Sequence, residues 1–139
     1  MDKLLGNTLV TSDGKTMSLD AALGDSEYVF VYFSAHWCPP CRGFTPALSD
    51  FFTANHAALK FKIVFVSSDQ DEAAFQSYFG SMAKGFLALP YGDAHKDVIG
   101  ADVRGIPTLK LFKRDGKLLT SDGRKFVSAN PNGKGFPWV

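Results

Sequence analysis

The apolar positions of this chain form two kinds of pattern, short continuous runs and repeats every three or four residues. Residues 27–33 and 61–67 are rich in β-branched and aromatic side chains, which is typical of buried strands. Between them, from Cys38 to about residue 57, apolar side chains return every three or four positions, which predicts a helix. Strand, helix and strand in this order predict a parallel pair joined by a right-handed crossover.

The N-terminal segment predicts a short β-ribbon. Residues 8–10 and 15–17 flank an Asp-Gly dipeptide, which favours a tight turn between two strands. Ser18 then has the position of an N-cap for a short helix over residues 19–23, which ends before a glycine. We therefore expect a ribbon at one edge of the sheet.

A second amphipathic helix is predicted after the second buried strand. Asp69 and Glu72 are spaced as in a capping box, and the helix is expected to continue to about Ala83. Its apolar positions would form one buried face, which consists of Phe75, Tyr78, Phe79 and Met82.

The C-terminal third predicts a hairpin framed by two short helical segments. Residues 106–112 and 118–121 are strand-like on either side of a turn, and they predict an antiparallel pair. Residues 93–99 predict a helical turn and residues 124–127 the start of a last helix. The aromatic tail at 136–138 is expected to pack back onto the fold.

Length and charge restrict the class of protein. The chain has 139 residues, of which 45% are hydrophobic, so we expect one domain, residues 1–139, with one core. Fifteen basic and fourteen acidic side chains give a net charge of +1, which argues against nucleic acid or a membrane as partner. No apolar leader or spanning segment is evident, so a cytoplasmic monomer is expected.

Both cysteines lie where the first buried strand gives way to the long helix. Cys38 and Cys41 are separated by Pro39 and Pro40, which suit the first turn of a helix. A helix N-terminus favours an anion, so we expect Cys38 to be the thiolate nucleophile. Cys41 would lie about one turn further and more shielded, close enough to resolve a mixed disulfide.

Other roles for the two cysteines fit the sequence poorly. Two buried structural thiols would not require a preceding tryptophan and two intervening prolines. A structural zinc site needs four ligands, and an iron–sulfur cluster needs more cysteines than the chain has. We therefore expect no metal and no cofactor other than a redox-active Cys38–Cys41 disulfide.

The cysteine segment and several later stretches resemble the tryparedoxin and nucleoredoxin branch of the thioredoxin superfamily. The resembling stretches are residues 32–35, 37–46, 75–79, 87–90, 105–109 and 136–138. The resemblance implies an α/β thioredoxin fold, with a central mixed β-sheet flanked by helices and an N-terminal β-ribbon. It also implies a thiol-disulfide oxidoreductase.

The resemblance and the residues together suggest further site residues. Trp37, a large amphipathic ring beside the nucleophile, is expected to form a platform for the substrate. Ile106 and Pro107 are similar to the superfamily's cis-proline loop, in which the residue before the proline offers backbone hydrogen bonds to a peptide. Asp69 would serve Cys41 as proton carrier, cap its helix, or do both. Arg42 would contact substrate and lower a cysteine pKa, or be solvated.

The family resemblance also suggests partners. Tryparedoxins pass electrons from the dithiol trypanothione to peroxidases, and nucleoredoxins are thiol reductases with regulatory binding. Arg104 stands where tryparedoxins have an acidic residue, so it is expected to repel the cationic polyamine bridge of trypanothione. We expect a protein-disulfide reductase that acts on protein disulfides, including those of peroxidases, with a low-molecular dithiol or a flavoprotein reductase as donor. The alternative is a redox-switched protein-binding module with little turnover.

Overall fold

The computed structural model describes residues 1–138, in which one sheet of seven strands is flanked by helices. The strands are β1 (Thr8–Thr11), β2 (Thr16–Ser18), β3 (Tyr28–Ser34), β4 (Phe61–Ser67), β5 (Leu87–Ala88), β6 (Thr108–Lys113) and β7 (Leu118–Thr120). The helices are α1 (Asp2–Leu5), α2 (Leu19–Leu23), α3 (Pro39–Leu59), α4 (Glu72–Gly80), α5 (His95–Ile99) and α6 (Gly123–Ala129). The strand order is β2-β1-β5-β4-β3-β6-β7.

The centre of the sheet is the parallel pair that the sequence predicts. β3 and β4 run side by side from Tyr28 opposite Phe61 to Ser34 opposite Ser67. β6 pairs with the other side of β3 in antiparallel orientation, so the sheet is mixed. The carboxyl ends of β3 and β4 therefore lie together at one edge of the sheet, where ligands of such sheets usually bind.

The two faces of the sheet are covered by cores of different composition. One core is largely aromatic and includes side chains of α3, α4 and α6, among them Phe44, Phe51, Phe75, Tyr78 and Val127. The other is largely aliphatic and includes side chains of α1, α2 and α5, among them Leu5, Leu19, Leu23 and Ile99. Within residues 1–138, no helix combines the length and apolarity needed to cross a bilayer.

Most predicted elements form with small changes at their ends. The N-terminal ribbon pairs as β1 and β2, and the C-terminal hairpin as β6 and β7. The aromatic tail packs on the fold as predicted, with Trp138 stacked on Phe126. The sequence pattern missed α1 and the two-residue strand β5 because neither is long enough to show a period.

The predicted capping box at Asp69 is wrong. Helix α4 begins at Glu72, and its N-cap is Asp71, whose carboxylate accepts a hydrogen bond of 2.8 Å from the backbone N–H of Ala74. The helix also ends at Gly80, three residues before the predicted Ala83. Asp69 does not cap the helix because its carboxylate is bound elsewhere, at the edge of the sheet.

Candidate active site

Cys38 occupies the N-cap of α3. The helix begins at Pro39, with prolines in its first two positions as predicted, and the backbone N–H of Cys41 donates to Cys38 Sγ at 3.4 Å. The sulfur thus lies where unpaired amide groups and the positive end of the helix dipole favour a negative charge. This geometry matches the predicted place of a thiolate nucleophile.

The second cysteine lies directly behind the first. Cys41 is fully buried, and its thiol donates to Cys38 Sγ with the two sulfurs 2.6 Å apart. Burial and the hydrogen bond to Cys38 together raise the pKa of Cys41 to about 11. Cys41 therefore keeps its proton near neutral pH, and it has to lose that proton before it can attack another sulfur.

The loop before β6 brings a backbone carbonyl to Cys38. The carbonyl oxygen of Ile106 lies 3.8 Å from Cys38 Sγ, and the Ile106–Pro107 peptide bond is cis, as predicted. Lys110, buried on β6, binds the Asp102 carboxylate and thereby ties this loop to the sheet. β6 starts after the proline, so the backbone of Ile106 is outside the sheet ladder.

Trp37 presents its ring to solvent beside the cysteines. The side chain is 54% exposed, although its Nε1–H donates to the carbonyl oxygen of Ser68 at 2.9 Å. A hydrogen bond at one end and an exposed apolar face at the other fit the role of a platform for a substrate. That role stays a prediction.

Asp69 is buried and holds the loop that precedes Cys38. Its carboxylate accepts hydrogen bonds from the backbone N–H of His36 at 2.8 Å and from the hydroxyl of Ser67 at 2.7 Å. Neither partner is Cys41, and the influences on the pKa of Cys41 come from Cys38, Ser34 and the backbone of Ala35. Proton transfer by Asp69 stays a prediction.

Arg42 lies on the outside of α3 and is exposed. It lines a cleft of about 600 Å³ together with His36, Thr45 and Tyr78. The guanidinium is accessible to an incoming partner, and its contact with substrate stays a prediction. Arg42 was also predicted to lower the pKa of a cysteine. It is not among the groups that shift the pKa of Cys41.

Four hydroxyl groups behind Cys41 were missed by the sequence analysis. Tyr32 and Ser34 on β3, Thr45 on α3 and Tyr78 on α4 are all buried and bind one another. A weak signal was present, because Tyr78 puts a hydroxyl on an otherwise apolar helix face. That signal did not show which other hydroxyls Tyr78 would reach.

In residues 1–138, no three His, Cys, Asp or Glu side chains come close enough together to hold a metal ion. The groups that meet at the site are the two free thiols, a carbonyl, an indole ring and buried hydroxyls. Such a set can exchange thiols and disulfides and can move protons.

Comparison with known proteins agrees with this chemistry. A family model described as thioredoxin-like matches residues 25–118. Tryparedoxin of Trypanosoma brucei brucei is 41% identical over 97% of this chain and 94% of its own length. Nucleoredoxin of Bos taurus is 38% identical over 98% of this chain, which spans only 31% of that protein.

Solved structures give the same result. A tryparedoxin II complexed with glutathionylspermidine is 34% identical, covers 95% of this chain and 92% of its own, and superposes with a TM-score of 0.87. The predicted thioredoxin fold is therefore confirmed. The chain belongs to the thioredoxin-like family, in its tryparedoxin and nucleoredoxin branch, and is a thiol-disulfide oxidoreductase.

Proposed function

We propose that this chain is a protein-disulfide reductase in which Cys38 is the nucleophile and Cys41 the resolving thiol. The Cys38 thiolate attacks one sulfur of the substrate disulfide, and the other substrate sulfur leaves as a thiolate. Cys41 then loses its proton and attacks Cys38 Sγ, which releases the second substrate sulfur. Two electrons pass to the substrate, and a Cys38–Cys41 disulfide remains.

The observation that carries this proposal is the asymmetry of the two sulfurs. Cys38 lies at the helix N-terminus and accepts hydrogen bonds from the Cys41 backbone and thiol, whereas Cys41 is fully buried with a raised pKa. Only the first sulfur has a helix N-terminus and two hydrogen-bond donors arranged around it, and such surroundings favour a thiolate. The second is placed to attack whatever becomes bound to the first.

A polypeptide substrate suits the surroundings of Cys38. The exposed ring of Trp37 offers an apolar surface, and the backbone of Ile106 is free to pair with an extended peptide. The buried Pro107 fixes the loop beneath the peptide. Protein disulfides, including those of peroxidases, are the substrates that we propose.

The donor that restores the dithiol is proposed to be a low-molecular dithiol or a flavoprotein reductase. The tryparedoxin II mentioned above was solved with glutathionylspermidine, which carries a cationic polyamine. In this chain, a cleft of about 500 Å³ beside Trp37 is lined by Lys96, Arg104 and Asp97. Two positive charges against one negative charge disfavour a cationic donor. A cytoplasmic setting is proposed because the dithiol form requires a reducing compartment.

Insulin reduction with dithiothreitol as donor tests the proposal. Cys38→Ser is expected to abolish turnover, because the hydroxyl of serine is not ionised at neutral pH. Ser128→Ala, an exposed change on α6, is the matched control and is expected to keep full activity. Full insulin reduction by Cys38→Ser would contradict the assignment of the nucleophile.

The same assay separates catalysis from the alternative function of a redox-switched binding module. A module would show negligible turnover, while the protein in one redox state would capture a partner that the other state does not bind. A reductase shows sustained turnover and covalent capture through Cys38.

A further inference from the structure

A chain of buried hydroxyls extends from Cys41 through the aromatic core. The hydroxyls of Tyr32 and Thr45 donate to the carbonyl oxygen of Cys41 at 3.3 Å and 2.9 Å, and the Ser34 hydroxyl lowers the pKa of the Cys41 thiol because it stabilises the thiolate. The same Ser34 Oγ lies 2.7 Å from the hydroxyl of Tyr78, and that hydroxyl lies 2.7 Å from Thr45 Oγ1. Thr45 Oγ1 is in turn 2.7 Å from the hydroxyl of Tyr32.

Hydroxyl groups suit proton transfer because each can donate and accept at once. The four hydroxyl residues come from three elements, β3, α3 and α4, and apolar side chains surround them. In such surroundings the groups have few other partners, so their mutual hydrogen bonds are well defined. Burial raises the pKa of Tyr32 strongly, so its hydroxyl stays neutral and cannot act as the base.

The hydroxyl chain reaches the wall of a second cleft, separate from the one that contains Trp37 and Ile106. Tyr78 and Thr45 line the cleft of about 600 Å³ that also contains Arg42 and the exposed His36. The ring of His36 packs edge-on against the ring of Tyr78 with their centroids 5.6 Å apart. The buried hydroxyls therefore lie behind the wall of a cleft that is open to water.

We propose that Ser34 and Tyr78 carry the proton of Cys41 to water in this cleft when the mixed disulfide is resolved. This inference rests on the proposed function. The S–H bond of Cys41 breaks, Ser34 takes the proton and passes its own to Tyr78, and Tyr78 passes its own to water. The electron pair left on Cys41 forms the bond to Cys38 Sγ, and the Cys38–substrate bond breaks with its pair on the departing thiolate.

The same path in reverse returns the proton when a donor reduces the disulfide. The titratable groups around Cys41 are Cys38 at the start of α3, Tyr32 on β3 and Tyr78 on α4. His36 and Arg42 face the outer end of the path. Cys38 raises the pKa of Cys41 both through its hydrogen bond and electrostatically.

The two sulfur steps can be timed separately in the full-length protein. Reaction of the dithiol with dithiodipyridine releases one thiopyridone when Cys38 attacks and a second when Cys41 resolves the mixed disulfide. Tyr78→Phe keeps the ring and removes the hydroxyl. We expect it to slow the second release by roughly 10- to 100-fold near neutral pH, since positioned proton transfer contributes that much or more, and to leave the first unchanged.

The pH profile distinguishes proton transfer from a packing effect. The difference between Tyr78→Phe and the wild type in the rate of the second release should shrink as the pH approaches the Cys41 pKa of about 11, because the thiolate then forms without help. Ser34→Ala should show the same profile. Tyr28→Phe, the same change at the opposite end of β3, should leave both releases unchanged.

Each other outcome is decisive. A second release by Tyr78→Phe and Ser34→Ala at the wild-type rate near neutral pH would overturn the relay, as would an equal slowing of both releases at every pH. A first release that persists in Cys38→Ser would overturn the proposed function instead. The two failures are therefore distinguishable.

Discussion

The surroundings of Cys38 and those of Cys41 differ in almost every physical property. Beside Cys38 lie the exposed ring of Trp37 and the carbonyl of Ile106, and the cleft that these two residues line contains charged side chains such as Arg104. Around Cys41 lie buried neutral hydroxyls and aromatic rings. We call these the outer side and the inner side of the cysteine pair.

The difference separates recognition from chemistry. On the outer side the side chains of Trp37 and Arg104 are exposed, so their replacement is expected to alter which molecule binds while the fold is preserved. Groups on the inner side are packed and hydrogen-bonded, so their replacement alters proton transfer or stability. In this chain, recognition and electron exchange are therefore expected to depend on different groups around one dithiol.

The largest effect is expected when the resolving thiol, Cys41, is removed. Cys41→Ser leaves the Cys38 nucleophile but removes the group that resolves the mixed disulfide. Turnover of insulin should fall by about 100-fold or more, and a covalent adduct with a substrate protein should accumulate. Non-reducing electrophoresis and mass spectrometry detect the adduct, and its absence would mean that another group resolves the intermediate.

A smaller effect is expected from the platform on the outer side. Trp37→Ala should raise the KM for a protein disulfide by about 10-fold, since a large aromatic contact is worth roughly 1 kcal/mol or more. The melting temperature should change little because the ring is 54% exposed. Leu118→Ala, an exposed apolar change on β7, is the control and should leave KM unchanged. An unchanged KM in Trp37→Ala would show that the ring does not contact substrate.

The charge of the outer cleft should alter donor preference by a few-fold. Arg104→Glu reverses one charge beside Trp37 and Ile106, so reduction by a cationic polyamine dithiol should speed up by about 3-fold to 10-fold, and reduction by an anionic thiol should slow down. The effect should weaken at high salt. Lys117→Glu makes the same change at a distant turn and is the control; equal effects of both variants would mean that only net charge matters.

The smallest predicted effect is a loss of stability at alkaline pH that comes from the inner side. The pKa of Cys41 is raised from 9.0 to about 11, so the unfolded chain releases this proton first as the pH rises. The stabilisation is complete below pH 9.0 and is lost up to about pH 11. The melting temperature of the reduced protein should therefore fall more steeply with pH over this range than the melting temperature of reduced Cys41→Ala. Parallel curves would contradict the raised pKa.

Much of the fold was predictable because its patterns are local. The apolar runs of β3 and β4, the helical period of α3 and the turn of the hairpin are each set by residues a few positions apart. β5 could not be predicted, since two residues become a strand only through pairing with Val10 and Val64 and their neighbours. The cap of α4 was misassigned because Asp69 and Asp71 have similar local sequence signals and differ in their distant partners.

The sequence by itself determined the cysteine pair, its place at the start of a helix and the order of the two thiols, because three positions along a helix fix that geometry. Only the tertiary structure decided what surrounds each sulfur. Ile106 reaches Cys38 across 68 positions, and Tyr78 reaches Ser34 across 44. Such contacts arise when strands and helices distant in sequence pack together, and no local pattern records which side chains will then meet.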